Sequence, residues 1–168
     1  GRINYLEALL RWRRGDELVG PSEFMSVAEE TGLIVRIGEW VLAEACRQAA
    51  LWQGLADCGD LGISVNVSAR QLQRGGFVPF VAGAIEASGV APGTLALEIT
   101  ETTLLDDEDR AVAVLDELRS LDLQLSIDDF GTGYSSLTYL HRFPVDMVKL
   151  DQSFVQGICS ARQKRAIV

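Results

Sequence analysis

Short apolar runs of strand length recur along the chain, and each carries a polar, oxygen-bearing residue near one end. They are Tyr5–Leu10 with Glu7, Ile63–Val67 with Asn66, Leu95–Ile99 with Glu98, and Leu123–Asp129 with Asp128 and Asp129. A fifth run, Met147–Asp151, carries Lys149 and Asp151. Helical patterns lie between them. Pro21-Ser22-Glu23 opens a helix that runs through Glu30 and is stopped by Gly32. A longer helix spans Ile34 to Gln53, with Ile37, Val41, Leu42, Ala45 and Ala49 on one face. Ser68 is placed to cap a short helix over Ala69–Gln73. Further helices are predicted over Phe77–Ala87, over Asp106–Arg119 with acids crowding its start, and near Ser136–His141. Arg13–Glu17 reads as a charged turn, Gly131-Thr132-Gly133 as a tight loop, and Pro144 as a break before the fifth strand. Strands separated by helices predict a parallel β/α barrel with its chemistry at one rim.

A charge within an apolar sheet is costly unless it is paired or bound to a metal. The same placement on successive strands therefore predicts one polar site rather than scattered oddities. Glu7, Asn66, Glu98 and Asp128 are hard oxygen donors suited to Mg2+ or Mn2+. Asp129 is placed to help hold a second cation, with Asp128 between the two. Two metals of this kind clamp the attacking and leaving oxygens of a phosphoryl displacement. Lys149 would orient water or neutralise phosphate charge, and Arg11 suits bidentate phosphate contact. Gly131 and Gly133 allow the loop after Asp129 to approach a ligand closely. Taken singly, Glu7 reads as a solvated rim charge, Asn66 as a turn former and Asp128-Asp129 as a cap or turn. Lys149 and Arg11 alone read as surface charges. His141 is read as an ordinary helix-end residue, and Trp12, Trp40 and Trp52 as packing residues.

Composition narrows the classes. The 168 residues are 48% hydrophobic, enough for one sizeable core, but a full barrel typically needs about 250. The net charge of −9 argues against nucleic-acid polymers and anionic membranes. Cys46, Cys58 and Cys159 form no metal or disulfide pattern, which suits a reducing cytoplasm. No apolar run or signal segment suggests a membrane span, although other parts of a parent protein would be free to anchor it. Gly1–Asn4 reads as a turn into the first strand and Arg162–Val168 as the opening of a helix. The chain is therefore expected to be an internal piece of a longer domain, with about five of eight strands.

Five ordered motifs now carry a resemblance that covers essentially the whole chain. Glu7-Ala8-Leu9-Leu10-Arg11-Trp12, Asn66-Val67-Ser68, Glu98-Ile99-Thr100-Glu101, Asp128–Leu137 and Lys149-Leu150-Asp151 resemble those of EAL domains, the cyclic di-GMP phosphodiesterases. The resemblance implies a TIM-like (β/α) barrel of the EAL type, with one irregular antiparallel strand, incomplete in this chain. It implies hydrolysis of cyclic di-GMP to linear pGpG at a two-metal Mg2+ or Mn2+ site. Glu7, Asn66, Glu98 and Asp128 match ligands of the first metal, and Asp128 and Asp129 those of the second. Lys149 matches the lysine beside the hydrolytic water, and Asp151 a further acidic site residue. Arg11, Leu10 and Gly131 are taken as substrate contacts. Glu101 matches the residue anchoring the Phe130–Ser136 loop, with Ser135 in that loop. A first strand with a Gln-Pro-Ile-like motif and the C-terminal strands, whose glutamates complete the second metal site, are missing from the pattern. The parent is expected to be a homodimer with sensory or GGDEF domains attached. The fragment alone is expected to be inactive. Two other readings stay open: a noncatalytic cyclic di-GMP receptor and a regulatory dimerisation module.

Overall fold

Every second residue of the central strands is large and apolar, and the chain uses this alternation to separate two environments. In the computed structural model, which describes residues 3–55, 58, 61–131 and 140–155, the strands are β1 Tyr5–Ala8, β2 Trp12–Arg14, β3 Glu17–Val19, β4 Gly62–Val67, β5 Leu95–Thr100, β6 Gln124–Phe130 and β7 Met147–Leu150. Five of them form one sheet in the order β1-β4-β5-β6-β7, and every pairing in it is parallel. Helices α1 Met25–Glu30, α2 Leu33–Gln53, α3 Ala69–Gln73, α4 Phe77–Ser88, α5 Glu101–Leu105, α6 Glu108–Arg119 and α7 Gln152–Val155 make the connections. The sheet curls into a half-barrel, a TIM-like (β/α) barrel left incomplete in this chain. Antiparallel pairing among the described residues is confined to the β2–β3 hairpin, so the irregular antiparallel strand has no counterpart in this sheet.

The main core lies outside the curl, between sheet and helices. Ile63, Val65 and Val67 of β4, Leu95, Leu97 and Ile99 of β5, and Leu125 and Ile127 of β6 are buried there. They pack with Leu42, Ala45, Cys46 and Ala49 of α2, Val81 of α4, and Ala111, Leu115 and Leu118 of α6. Each large apolar side chain so buried contributes roughly 1.5–3 kcal/mol. The alternate residues, among them Glu7, Ser64, Ala96, Glu98, Ser126 and Lys149, face a concave pocket of about 180 Å³. Small and polar side chains on this face keep its centre from filling with hydrocarbon.

Four local expectations change. The segment from Pro21 to Glu30 is a 3₁₀ turn over Pro21–Glu23 followed by α1, because Phe24 leaves helical geometry and its N–H bonds back to Pro21. The helix expected over Asp106–Arg119 is α6, which starts two residues later, at Glu108, and an unexpected short helix, α5, precedes it. α5 ends at Leu105, and Asp107, in extended-like geometry, caps α6 by accepting from the Arg110 N–H. The charged turn at Arg13–Glu17 is a hairpin, β2–β3, tied by an Arg14–Glu17 ion pair. Trp12 and Trp40 are exposed rather than packing in the core, while Trp52 packs against it. Trp12 meets the Phe24 ring edge-on at 6.1 Å, and the Arg14 guanidinium lies 5.6 Å from its ring centre. Residues 132–139 hold most of the expected helix near Ser136–His141 and lie outside the described residues; His141 itself is in a turn.

Ser68 caps α3 as its sequence predicts, and Gln71 completes a capping box: the Ser68 N–H donates to Gln71 Oε1 at 3.1 Å and the Ser68 hydroxyl at 2.9 Å. The Gln71 amide sits where α2 carries no side chain, because a Cβ on Gly38 would meet it at 2.3 Å. Glycine inside a helix costs about 0.5–1 kcal/mol relative to alanine, yet alanine here would push the amide out of the box. The overpacking term, roughly 1–3 kcal/mol, exceeds the propensity gain, so Gly38→Ala destabilises the protein. In a Gln71→Ala background the clash is gone and the same substitution stabilises by up to about 1 kcal/mol. Urea unfolding of the four proteins measures this reversal of sign.

Candidate active site

Parallel register brings the predicted residues to the carboxyl ends of neighbouring strands. Asn66 pairs with Glu98, Glu98 with Ser126, and Thr100 with Asp128. Glu7 sits opposite Ser64, and the Asn66 amide nitrogen donates to Glu7 Oε1 at 2.8 Å. Glu98 is 2% exposed. One of its oxygens bonds Lys149 Nζ across β6, while Oε2 and the neighbouring Ser126 hydroxyl have no partner among the described residues. An unmatched oxygen on a buried carboxylate is expensive, so this atom is the sharpest sign of a site built for a ligand.

Two adjacent carboxylates on a regular strand would point to opposite faces. β6 avoids this by a bulge. Ile127 pairs with Val148 and Phe130 with Leu150, so Asp128 and Asp129 together stand against Lys149 alone. Asp129 supplies the irregularity, with φ at 52°, a left-handed conformation that Asp tolerates better than bulky residues. Its N–H donates to Asp128 Oδ1 at 3.0 Å.

Downstream, Gly131 has φ of 100°, and a Cβ there would meet the Phe154 ring at 2.1 Å, so only glycine fits. Buried Glu101, the first residue of α5, accepts the Gly131 N–H at 2.8 Å. Ser135 lies outside the described residues. Asp151 accepts the Ser153 N–H at 2.8 Å at the start of α7, and hydrogen bonds from the Ser153 side chain and then its backbone hold the Asp151 carboxyl below the usual range.

Beyond the strand ends a cleft of about 430 Å³ is lined by Leu10, Pro21, Met25, Asn66, Ser68 and Thr100. Its size suits a small ligand. Arg11 is turned elsewhere: it donates to the Leu10 carbonyl at 2.7 Å and lines a separate groove with Trp12, Phe24, Leu33 and Trp40. Pro21 and Met25 were not singled out by the sequence, because nothing in a helix opening announces a cleft wall.

Hard oxygen donors and the unmatched Glu98 oxygen fit a divalent cation in chemistry. In the present side-chain arrangement no three acidic, histidine or cysteine side chains among the described residues form a ready metal cluster. Lys149 engages Glu98, and Asn66 would present its amide oxygen after a half-turn of the amide. Partial burial pulls the Lys149 pKa down. The hydrogen bond and charge of Glu98, with Asp128 and Glu7 behind them, outweigh it and leave the ammonium above the ordinary lysine value. Desolvation, then the charges of Asp128 and Asp151, raise Asp129.

The EAL domain family model matches residues 1–168. This chain belongs to the EAL domain family. It is 45% identical over 166 residues to the bifunctional diguanylate cyclase/cyclic di-GMP phosphodiesterase MucR of Pseudomonas aeruginosa, covering 97% of this chain and 24% of that protein. It is 42% identical over 168 residues to the cyclic di-GMP phosphodiesterase NbdA of the same organism, covering 99% and 21%. Among solved structures, the PaMucR phosphodiesterase in complex with c-di-GMP superposes with a TM-score of 0.91 at 43% identity, covering 99% of this chain and 68% of that one. The EAL chain thus spans about a quarter of the length of these curated relatives.

The raised pKa of Asp129 carries a sign. A carboxyl whose folded value lies above its unfolded one stabilises below the unfolded value, about 3.9, and that contribution is lost as pH rises through the folded value. At neutral pH the ionised Asp129 therefore opposes folding of the metal-free EAL chain. Asp129→Asn keeps the left-handed backbone and removes the charge. Because the side chain is exposed and screened, the gain stays below about 1 kcal/mol. In chelator at pH 7 the variant melts higher, by up to about 3 °C, and the difference closes by pH 3.5. Equal melting at both pH values would contradict the electrostatic account.

Proposed function

We propose that this chain forms the larger part of an EAL barrel that hydrolyses one phosphodiester bond of cyclic di-GMP, giving linear pGpG. The observation that carries the reading is Glu98, buried on the concave face with one oxygen on Lys149 and the other unmatched among the described residues. Glu7, Asn66, Glu98 and Asp128 would hold one Mg2+ or Mn2+. Asp128 and Asp129 would share a second, whose remaining ligands would come from strands outside this chain. Such ions, when bound, polarise the phosphodiester and acidify water.

The chain's own groups divide the remaining work. Lys149 stays protonated through neutral pH, so it acts as a fixed positive charge near the phosphate rather than as a base. Asp129 stands beside Lys149 at the bulge, where its carboxylate would orient the attacking water. Asp151 supports this end of the site through its charge on Asp129. Arg11 would swing from its groove to grip a phosphate oxygen, while Leu10 and Gly131 line the approach of the nucleotide. Glu101, and with it Ser135, would hold the loop after Phe130.

The first strand and the C-terminal strands of the barrel would lie outside residues 1–168, within a longer, multidomain, homodimeric protein with sensory or GGDEF domains. Relatives several times longer than this chain support that placement. No helix among the described residues is long and apolar enough to cross a membrane. A cytoplasmic site for the catalytic domain fits its cytosolic nucleotide.

In the complete domain with Mg2+ or Mn2+, Glu7→Ala should lower hydrolysis of cyclic di-GMP by more than about 100-fold. Its melting temperature should stay near wild type, since Glu7 is an exposed rim residue. Parental turnover by this variant would remove Glu7 from the metal site. Tight binding without hydrolysis by the wild-type domain would replace the enzyme reading with that of a receptor; neither binding nor hydrolysis would leave a dimerisation module.

Among the described residues β1 and β7 each pair on one side only, leaving sheet edges that invite association. The isolated 168-residue chain should therefore show no turnover and should self-associate in sedimentation velocity. A monomer that unfolds cooperatively and turns over substrate would refute this.

A further inference from the structure

Lys149 reaches Glu98 only if β7 enters the sheet in one register. β7 has four residues and its pairing with β6 is interrupted by the bulge at Asp128-Asp129, so few regular rungs define it. A slip of one residue would turn Lys149 to the opposite face. The segment leading into the strand offers little help. Pro144 has no N–H, and the Val145 N–H bonds back to the Phe143 carbonyl at 2.9 Å.

Asp146 stands at this point. Its main-chain N–H donates to the Leu125 carbonyl at 2.9 Å, and its carboxylate Oδ2 accepts the Leu125 N–H, also at 2.9 Å. In a regular parallel ladder both the N–H and the carbonyl of Leu125 would be met by main-chain groups of the next strand. Here one of them is met by a side chain. Asp146 thus makes a two-point clamp on buried Leu125, one residue before the first paired rung, Ser126 with Met147. On the far side of the bulge the Asp151 N–H donates to the Phe130 carbonyl at 3.2 Å. The bulge is therefore anchored at both ends, and the anchor before it is a carboxylate.

We propose that Asp146 is a positioning residue for catalysis: its carboxylate fixes the register of β7 and thereby the contact of Lys149 with Glu98. It touches neither substrate nor metal. The proposal rests on the phosphodiesterase reading for its kinetic consequence but not for its structural one.

The test compares the complete wild-type protein with Asp146→Ala and Asp146→Asn. Asparagine retains an oxygen that can accept from Leu125; alanine does not. In cyclic di-GMP hydrolysis, Asp146→Ala should lose about tenfold or more in kcat, with KM changed less than about threefold, and Asp146→Asn should recover most of the loss. Amide hydrogen exchange gives a readout independent of turnover. In Asp146→Ala the amides of Leu125 and Val148 should exchange at least about tenfold faster, while those of Val65 and Leu97 in β4 and β5 stay as in wild type. Wild-type exchange at Leu125 and Val148 in the alanine variant would overturn the clamp. Equal kinetic loss in both variants, or a loss confined to KM, would overturn the positioning role. If the wild-type protein does not hydrolyse the nucleotide, the phosphodiesterase reading falls, and the exchange comparison still decides the clamp.

Discussion

A buried carboxylate on a sheet face needs a partner set against it, and Glu98 finds one in Lys149. The two residues sit on β5 and β7, with β6 between them. Their contact therefore requires three strands to be parallel, correctly ordered and correctly registered at once. Losing the lysine would leave a buried charge alone, which costs more than the pair itself gains. The polar interior of the half-barrel is organised around this requirement. Small Ser64, Ala96 and Ser126 leave room for long charged side chains above them.

The bulge in β6 answers a second geometric demand. Paired acids adjacent in sequence suit two neighbouring cations, but a pleated strand separates adjacent side chains by half a turn. One residue in the left-handed region resolves the conflict at a local backbone cost. That cost is met where Glu101, Gly131 and Phe154 already hold the chain closely.

Much of this was legible beforehand, for identifiable reasons. The apolar runs fixed the five sheet strands because burial on the helix side demands Val65, Leu97 and Ile127 whatever the inner face does. The α3 cap was readable because Ser68 and Gln71 carry their geometry in their spacing. The β2–β3 hairpin was hidden because its three-residue strands are half charged and almost wholly exposed, with no alternation to detect. The start of α6 was readable from the acids at its opening, whereas α5 was hidden because its five residues, two of them threonines, are too few to show a helical period. The chemical residues stood out by type, but their arrangement did not. Arg11 turned into the tryptophan groove, Asp151 serving as a helix cap and Asp146 replacing a strand carbonyl all depend on hydrogen bonds between distant segments. Sequence spacing alone carries no record of those partners.

The separation of inner and outer faces also bears on how such a domain can change over evolutionary time. Along β4, β5 and β6, one set of alternate positions answers to the apolar core and the other to the pocket. A lineage can exchange Ser64, Ala96 or Ser126 for other small polar residues without disturbing Leu97 or Leu125 behind them. Selectivity and even reactivity can then drift while the scaffold's stability is held, because neutral variation on one face is invisible to the other.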